Sequence, residues 1–162
     1  MHIECQWFLE EVLTRIPWAI DGKTLDIGSR RFNNQWMPRA LFSDYTGLDN
    51  SEGENVDIVQ NSHELSFDSA TFDCVLSLNV LEHDGKPDET MAEALRVLKH
   101  GGLFIMSAAG PLYKPHDVQS AGVPPGHYKN ITEEQVKEWV EGMFFKRVTT
   151  NKAGDICCVG IK

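Results

Sequence analysis

The sequence predicts an α/β protein with a mostly parallel β-sheet, helices on both faces and an antiparallel hairpin at the end of the chain. Short apolar runs alternate with patterns of helical period, which is typical of parallel sheets. The run from Phe72 to Leu78 has consecutive apolar residues, as expected for a strand covered on both faces. The last two runs, 144–150 and 156–161, are separated by a tight turn, which favours the closing hairpin.

Length, composition and charge limit the classes of protein to which the chain can belong. It has 162 residues, of which 41% are hydrophobic and 24% charged, and this suits one soluble globular domain with a sizeable core. The formal net charge of -9 would repel phosphate backbones. No basic patch offsets this charge, because Arg30-Arg31 is only a pair. We therefore expect no nucleic acid among its partners.

The four cysteines indicate a reducing compartment. They are Cys5, Cys74, Cys157 and Cys158, and none has the C-x-x-C spacing of a metal site. Cys157 and Cys158 would face opposite sides of a strand, so they cannot hold one metal ion together. We interpret all four as small buried hydrophobes. The first residues contain no long apolar run, which predicts neither a signal peptide nor a membrane span and favours a cytoplasmic location.

Hydrophobic periodicity predicts the elements in order. Helices are expected over 4–16, over 87–99 and from Thr132 to near Gly142, and strands over 24–27, 45–48, 56–59, 72–78, 103–107, 144–150 and 156–161. Thr132-Glu133-Glu134-Gln135 is a capping box, Asp88 is the predicted N-cap of the middle helix, and Gly101-Gly102 are predicted to end that helix. We expect a single domain, 1–162, with 1–20 as a flanking helical segment and a long loop at 108–131.

The stretch from Thr24 to Arg30 is the first candidate site. Its strand ends in Asp26-Ile27-Gly28, and a glycine there permits a sharp turn and the close approach of a ligand to the main chain. Asp26 is placed to bind a polar group. A second strand ends in an acid, Asp49, about twenty residues further on, which completes the outline of a nucleotide-type site.

Five short segments in this order resemble the class I S-adenosylmethionine-dependent methyltransferases. They are Leu25-Asp26-Ile27-Gly28-Ser29, Tyr45-Thr46-Gly47-Leu48-Asp49, Phe72-Asp73-Cys74-Val75-Leu76-Ser77, Asn79-Val80-Leu81-Glu82-His83 and Leu95-Arg96-Val97-Leu98-Lys99-His100-Gly101-Gly102-Leu103. The resemblance covers about residues 24 to 162. Further segments, including Lys114-Pro115-His116 and Tyr128-Lys129-Asn130-Ile131-Thr132, are similar to small methyltransferases found beside sugar- and natural-product-modifying enzymes.

The resemblance implies a Rossmann-like seven-stranded sheet, S-adenosylmethionine as cofactor, and a small-molecule or glycan acceptor that the 108–131 loop covers. The cofactor residues that it implies are Asp26, Gly28, Arg30, Asp49, Ser62, His63, Asn79 and Val80. Asp49 would accept hydrogen bonds from the two ribose hydroxyls, since a carboxylate has two oxygens. Ser62-His63 would lie at the adenine edge, although His63 as a solvent-facing loop residue is an equal alternative.

Two positions depart from the family pattern. Arg30 replaces the second glycine of the first loop, where a bulky residue restricts the approach of a ligand to the backbone. It could pair with the cofactor's carboxylate through its fork of donors, or it could be a surface arginine. Asn61 replaces an acid before Ser62, and its carbonyl can still bind an amino group.

Histidines on loops are the candidate catalytic residues. Methyl transfer is an in-line displacement in which the protein mainly positions the reactants, and a hydroxyl acceptor gains from a general base. His83, His116 and His127 lie on loops at the expected carboxyl edge of the sheet, and each could equally be a structural or exposed loop residue. No spacing requires a metal ion, so none is assigned.

Other functions stay open. A methyltransferase-like scaffold subunit without turnover would explain the missing glycine and the small size, and a homodimer mate could complete an open site. A nicotinamide-dependent oxidoreductase predicts a βαβ second half, whereas this chain ends in a predicted hairpin. An aminopropyl transferase would need several acids near the loop for its polyamine, and no such cluster is visible in the sequence.

Overall fold

The computed structural model describes residues 3–31, 35–114 and 128–162. The strands are β1 (Lys23–Ile27), β2 (Asp44–Asp49), β3 (Ile58–Val59), β4 (Phe72–Leu78), β5 (Leu98–Ala109), β6 (Phe145–Thr150) and β7 (Asp155–Ile161). The helices are α1 (Ile3–Arg15), α2 (Pro87–Val97) and α3 (Glu133–Trp139), with short 3-10 turns at Pro17–Ile20, Pro38–Leu41 and Leu81–His83. None of these helices is long and apolar enough to cross a membrane.

The strands form one seven-stranded sheet in the order β3-β2-β1-β4-β5-β7-β6. Strands β1 to β5 pair in parallel, and β7 pairs antiparallel with both β5 and β6. The predicted fold class is therefore confirmed, including the closing hairpin. The chain leaves β1 for β2 on one side and reaches β4 on the other, so the topological switch point lies at the carboxyl end of β1.

Strand β1 is covered on both faces, and all of its residues except Lys23 are buried. Leu25 and Ile27 belong to the larger core cluster, which is shared with α2 and α3. The opposite face of the sheet packs on α1 through a smaller cluster that includes Leu9 and Cys74. Burial of such side chains stabilises the fold by about 25 cal/mol for each Å² of apolar surface removed from water. The sheet thus has helices on both faces, as expected.

The predicted capping box of α3 is confirmed at its first residue, but the predicted cap of α2 is wrong. Thr132 Oγ1 accepts a hydrogen bond from the backbone N–H of Gln135 at 3.1 Å. Lys86 occupies the N-cap position of α2, and Asp88 lies inside the first turn, where it accepts from Trp139 Nε1 at 2.7 Å. Pro87 sets this boundary, since its fixed φ and missing N–H favour the first helical position.

Three predicted boundaries also need correction. Helix α2 ends at Val97 rather than at Lys99, because Leu98 is already extended and begins β5. Gly101-Gly102 therefore do not end the helix but lie in β5, where the register against β4 shifts. Strand β3 contains only Ile58–Val59 instead of 56–59, because Val56 N–H bonds to the Gly53 carbonyl in a turn.

The loop predicted at 108–131 begins later, after Ala109, and the next element described after it, α3, begins at Glu133. Ala108 and Ala109 belong to β5, and the N–H of Ile131 donates to the Ala109 carbonyl at 3.0 Å. This bond anchors the return of the chain at the carboxyl edge of the sheet. Residues 115–127, which form most of the predicted loop, lie outside the described residues.

Candidate functional site

The first loop turns sharply over the end of β2. Gly28 has a φ of +76°, in the left-handed region that glycine adopts without steric cost. The N–H groups of Gly28 and Ser29 both donate to the Leu48 carbonyl, at 2.8 and 2.9 Å. These bonds carry the main chain from the end of β1 to the end of β2, so the loop lies at the switch point.

Val80 covers Gly28. A Cβ atom added at Gly28 would overlap the side chain of Val80, which follows β4. The sequence predicted that a ligand would approach the main chain closely at Gly28. In the structure, the side chain of Val80 makes this close approach. Two residues predicted for the cofactor site from separate segments are brought into contact.

Asp49 ends β2 beside the same loop. Its carboxylate accepts from the N–H of Arg30 at 3.3 Å and from the N–H of Ser51 at 3.1 Å, and its side chain is 13% exposed. Burial raises the pKa of Asp49, and the backbone N–H groups and the charge of Arg30 act in the opposite direction. The carboxylate is therefore held in a fixed orientation at the carboxyl edge of the sheet.

Arg30 lies against Asp49 rather than on the open surface. Its Nε is 4.0 Å from Asp49 Oδ1, and its side chain is also only 13% exposed. The stem of Arg30 runs beneath Gly53, since a Cβ at that glycine would meet Arg30 Cγ and Cδ at 2.7 Å. Of the two alternatives for Arg30, an exposed surface arginine is therefore not what the structure shows.

Asp26 faces a neighbouring side chain. It is 3% exposed and accepts a hydrogen bond from the hydroxyl of Tyr45. Burial raises the pKa of Asp26 to about 7, while Tyr45 and the charge of Arg39 lower it. The structure thus places Asp26 in a buried network beside the first loop.

Asn55 holds this network and the first loop together, and the sequence analysis did not find it. Its Nδ2 donates to the Ser29 carbonyl at 2.8 Å and to the Tyr45 hydroxyl at 3.0 Å. Its Oδ1 accepts from Arg39 Nε at 2.8 Å, and its own carbonyl accepts from Ser29 Oγ at 3.0 Å. Asn55 has a φ of +75°, which asparagine tolerates better than most residues. The tolerance of asparagine for a positive φ was the only feature of the sequence that could have pointed to Asn55.

Ser62 and His63 bond to the segments around α2. Ser62 Oγ lies 2.9 Å from Thr90 Oγ1, and His63 Nε2 lies 2.5 Å from Asp84 Oδ1. Asp84 also accepts from Thr90 Oγ1 at 2.5 Å and from the N–H of Lys86 at 2.8 Å. His63 is therefore a paired residue rather than a solvent-facing one, and Asp84 pairs with it although the sequence places Asp84 next to His83.

Asn79 begins the turn after β4. It has a φ of +56°, and its N–H donates to the Ser107 carbonyl at 2.8 Å. Its Nδ2 lies 3.5 Å from Oε1 of Glu82. Among the residues that the structure describes, no group hydrogen-bonds to the buried Oδ1 of Asn79. This amide oxygen is an acceptor that a bound molecule could satisfy.

His83 ends the 3-10 turn that follows β4. Its ring lies 5.2 Å from the ring of Tyr128, at an interplanar angle of 65°. Burial and the charges of Glu82 and Asp155 raise the pKa of Tyr128. His116 and His127, the other two candidate catalytic residues, lie outside the described residues.

A second acid lies at the same edge, on β7. Asp155 pairs with Ala109 at the end of β5 and is fully buried. It accepts from Cys5 Sγ at 3.3 Å and from Asn151 Nδ2 at 2.9 Å. Burial, followed by the nearby charge of Asp155, raises the pKa of Tyr113 to about 12.

Within the described ranges, no group of three His, Cys, Asp or Glu side chains could hold a metal ion.

Comparison with known proteins identifies the family. The model of the methyltransferase domain family matches residues 25–106, just over half of the chain, from β1 through most of β5. The chain belongs to this family and is a class I S-adenosylmethionine-dependent methyltransferase, with S-adenosylmethionine as its cofactor. No curated protein matches the sequence.

Solved structures share the fold at low sequence identity. The 1,6-didemethyltoxoflavin-N1-methyltransferase of Burkholderia thailandensis, which has bound 1,6-didemethyltoxoflavin and S-adenosylhomocysteine, is 17% identical with a TM-score of 0.64, over 93% of this chain and 75% of that one. A possible histamine N-methyltransferase of Thermotoga maritima is 16% identical with a TM-score of 0.62, over 88% and 83%. A protein of Pyrococcus horikoshii is 18% identical with a TM-score of 0.65, over 95% and 90%.

The residues at the switch point fit the cofactor. The left-handed turn at Gly28 brings main chain to the end of β1, and Asp49 offers two carboxylate oxygens beside it. The buried Oδ1 of Asn79 is an unsatisfied acceptor for an amino group. Arg30 supplies a cation next to Asp49. These groups match the polar parts of S-adenosylmethionine outside its adenine ring, which are two ribose hydroxyls, an ammonium and a carboxylate.

Proposed function

We propose that this protein transfers the methyl group of S-adenosylmethionine to a hydroxyl of a small metabolite or sugar. The observation that carries the proposal is the position of His83 at the carboxyl end of β4, next to Asn79 and Val80 and against Tyr128. A titratable imidazole there is on the edge of the sheet that presents Gly28 and Asp49. A histidine near neutral pH is a suitable base for a hydroxyl.

The proposed cofactor contacts follow from the placement of the side chains. Asp49 binds the ribose hydroxyls, and Gly28 with Val80 forms the turn beside the methionine part. Asn79 accepts from the amino group, and Arg30 attracts the carboxylate. Ser62 and His63 support the adenine edge through their backbone, since their side chains bond to Thr90 and Asp84. Asp26 does not contact the cofactor but stabilises the first loop, because it accepts a hydrogen bond from Tyr45, which in turn accepts one from Asn55.

A nitrogen acceptor is the second candidate, and one observation favours it. Two carboxyl groups, Glu82 and Asp155, are buried near the acceptor edge, with 2% and 0% exposure. Carboxylates suit a basic nitrogen that must be held and relieved of a proton. The Burkholderia structure is described as an N-methyltransferase and the Thermotoga structure as a possible histamine N-methyltransferase, which supports the same class of acceptor.

The experiment that separates the two classes uses S-adenosylmethionine with an isotopically labelled methyl group. The protein is incubated with a panel of phenols, glycosides and heteroaromatic amines, and the NMR shift of the transferred methyl carbon shows whether it is linked to oxygen or nitrogen. We expect label on oxygen, with a loss of rate of about a hundredfold in His83→Ala, which is the lower end of what one general base contributes. Transfer only to nitrogen would overturn the hydroxyl proposal. A wild-type protein that binds the cofactor but transfers no label would favour the scaffold subunit.

We further propose one domain over residues 1–162, a cytoplasmic location and a possible homodimer. Cys5, Cys74, Cys157 and Cys158 are all buried and form no disulfide, which supports a reducing compartment. Phe144 and Phe145, which are 93% and 47% exposed at the start of edge strand β6, support contact with a second copy. Sedimentation of the purified protein tests the dimer, and a single monomeric species at micromolar concentration would contradict it.

A further inference from the structure

The carboxyl group of Glu82 is buried with one oxygen unsatisfied. Glu82 lies in the turn after β4 and is only 2% exposed, although glutamate is rarely buried without a partner. Within the described residues, Oε2 of Glu82 has no hydrogen-bond partner. A buried acceptor without a partner is costly to the fold and calls for an explanation, such as a bound molecule or a catalytic role.

The neighbours of Glu82 place this carboxyl at the acceptor edge. Oε1 lies 3.5 Å from Nδ2 of Asn79, which we assign to the cofactor site. On the other side, the backbone carbonyl of Glu82 accepts from the N–H of Lys129 at 2.9 Å. Glu82 and Asp155 both influence the titration of Tyr128. Glu82 therefore lies between the cofactor turn and the segment that returns from the long loop.

The protein satisfies the carboxyl group of Glu82 only in part, because backbone N–H groups of Glu82 and Ala109 act on it while Oε2 has no hydrogen-bond partner among the described residues. The backbone of Glu82 already fixes the segment, through its bond to Lys129. Asp155 nearby is held by Cys5 and Asn151, so this second acid is satisfied by the protein. Glu82 differs from Asp155 in that one of its oxygens is left for a ligand.

We propose that the Glu82 carboxylate faces the point of methyl transfer and accepts the proton of the acceptor's hydroxyl group. This inference rests on the proposed function, but it assigns the role of general base to Glu82 in place of His83. As the acceptor oxygen bonds to the methyl carbon, the carbon–sulfur bond breaks and its electron pair stays on sulfur. The hydroxyl proton passes to Oε2 of Glu82, so that charge and atoms balance. His83 then positions the acceptor together with Tyr128.

The electrostatics of the site support this role. Burial raises the pKa of Glu82 to about 7, while the backbone N–H groups of Glu82 and Ala109 and the amide of Asn79 act against that rise. The charge of Asp155 adds to it. Tyr128 and His83 are the other titratable groups on the segments packed there. A carboxyl that titrates near neutral pH is matched to general-base catalysis.

A test that needs no known acceptor compares two cofactor analogues. Sinefungin carries an amine at the position of the sulfonium methyl group, whereas S-adenosylhomocysteine carries none. If Glu82 faces that position, the ammonium of sinefungin pairs with the carboxylate. We expect calorimetry to show sinefungin binding about tenfold more tightly than S-adenosylhomocysteine to wild-type protein, as for one charge-assisted hydrogen bond. Glu82→Gln should abolish this preference and leave the affinity for S-adenosylhomocysteine unchanged.

Two further measurements keep the test decisive. Glu141→Gln alters an exposed glutamate far along the chain and should keep the wild-type preference. In wild-type protein the preference should rise about fivefold from pH 6 to pH 8 as Glu82 ionises, and this measurement does not depend on the folding of a variant. Equal binding of the two analogues to wild-type protein, or the same preference in Glu82→Gln, would overturn the inference. If wild-type protein bound neither analogue, the proposed function itself would fail.

Discussion

The side-chain amide of Asn55 donates a hydrogen bond to the main-chain oxygen of Ser29 at 2.8 Å. This bond fastens the segment after β2 to the loop after β1. The same amide reaches the hydroxyl of Tyr45, which in turn donates to the buried Asp26. The side chain of Asn55 thus links the loop that contains Gly28 to β2, the strand that ends in Asp49. Asn55 itself is not expected to contact the cofactor.

The first prediction concerns Asn55→Gly. Glycine accepts the φ of +75°, so the backbone is kept while the amide is removed. We expect the dissociation constant for S-adenosylhomocysteine to rise about tenfold by calorimetry, because the loss of the three side-chain hydrogen bonds of Asn55 loosens the first loop. The melting temperature should also fall, since each of these bonds contributes about 1 kcal/mol. Ala70→Gly, another left-handed position, is the matched control and should bind normally. Unchanged affinity in Asn55→Gly would show that the hydrogen bonds of Asn55 stabilise the fold but do not shape the cofactor site.

The second prediction concerns Gly28→Ala. The new methyl group would overlap Val80 at a backbone angle that favours glycine. We expect a loss of about 1–3 kcal/mol in the free energy of unfolding, measured with urea, together with loss of cofactor binding. Gly142→Ala is the control, since a Cβ there meets nothing within 4 Å. Adding Val80→Ala to Gly28→Ala should recover part of the stability. A Gly28→Ala protein as stable as wild type would contradict the observed contact.

The third prediction concerns stability against pH. The pKa of Asp26 is raised from its ordinary 3.8 to about 7 in the folded protein. Between these values the folded state holds a proton that the unfolded state has lost, so the free energy of unfolding falls as pH rises from about 4 to about 7. Asp26→Asn should flatten this fall, by about 1.4 kcal/mol for each pKa unit at most.

Urea unfolding at several pH values measures the effect. Groups whose pKa is lowered, such as Asp57 and Asp73, act in the opposite direction at acid pH, but they are present in both proteins. The difference between wild type and Asp26→Asn therefore isolates Asp26. Parallel curves for the two proteins would mean that Asp26 is not protonated in the folded state near neutral pH.

The fourth prediction concerns the partner of Asp84. The structure pairs Asp84 with His63 at 2.5 Å, whereas the sequence places it beside His83. In a double-mutant cycle, His63→Ala and Asp84→Asn should couple by about 1 kcal/mol in the free energy of unfolding. His83→Ala and Asp84→Asn should add independently, which makes this pair the control. Coupling only in the second cycle would reverse the assignment of the partner.

The fold was predictable because it depends on periodicity. The apolar run of β4, with Cys74-Val75-Leu76, marks a doubly covered strand, and it was predicted with the bounds that the structure shows. The boundaries of α2 were less predictable because local signals conflict. The helix begins at Pro87, so Asp88 is not its N-cap. At the other end, Leu98 pairs with β4 as part of β5, and the helix therefore ends before it reaches Gly101-Gly102.

The placement of the candidate site residues was predictable only where they follow strand ends. Gly28, Asp49 and Val80 come to one edge because parallel strands end together there. Asn55 could not be predicted, since its role depends on a turn that brings it back to Ser29 across 26 positions. The unsatisfied oxygen of Glu82 was equally hidden, because burial and missing partners are properties of the packed structure.

The measurement that tests the account most directly is a calorimetric titration with S-adenosylmethionine and S-adenosylhomocysteine, with NAD as the control ligand. The account predicts micromolar binding of the first two and none of NAD. In Asp49→Ala the binding should be lost, because the carboxylate at the end of β2 is the proposed anchor for the ribose. The absence of binding by wild-type protein, or full binding by Asp49→Ala, would contradict the central claim that this edge of the sheet holds the cofactor.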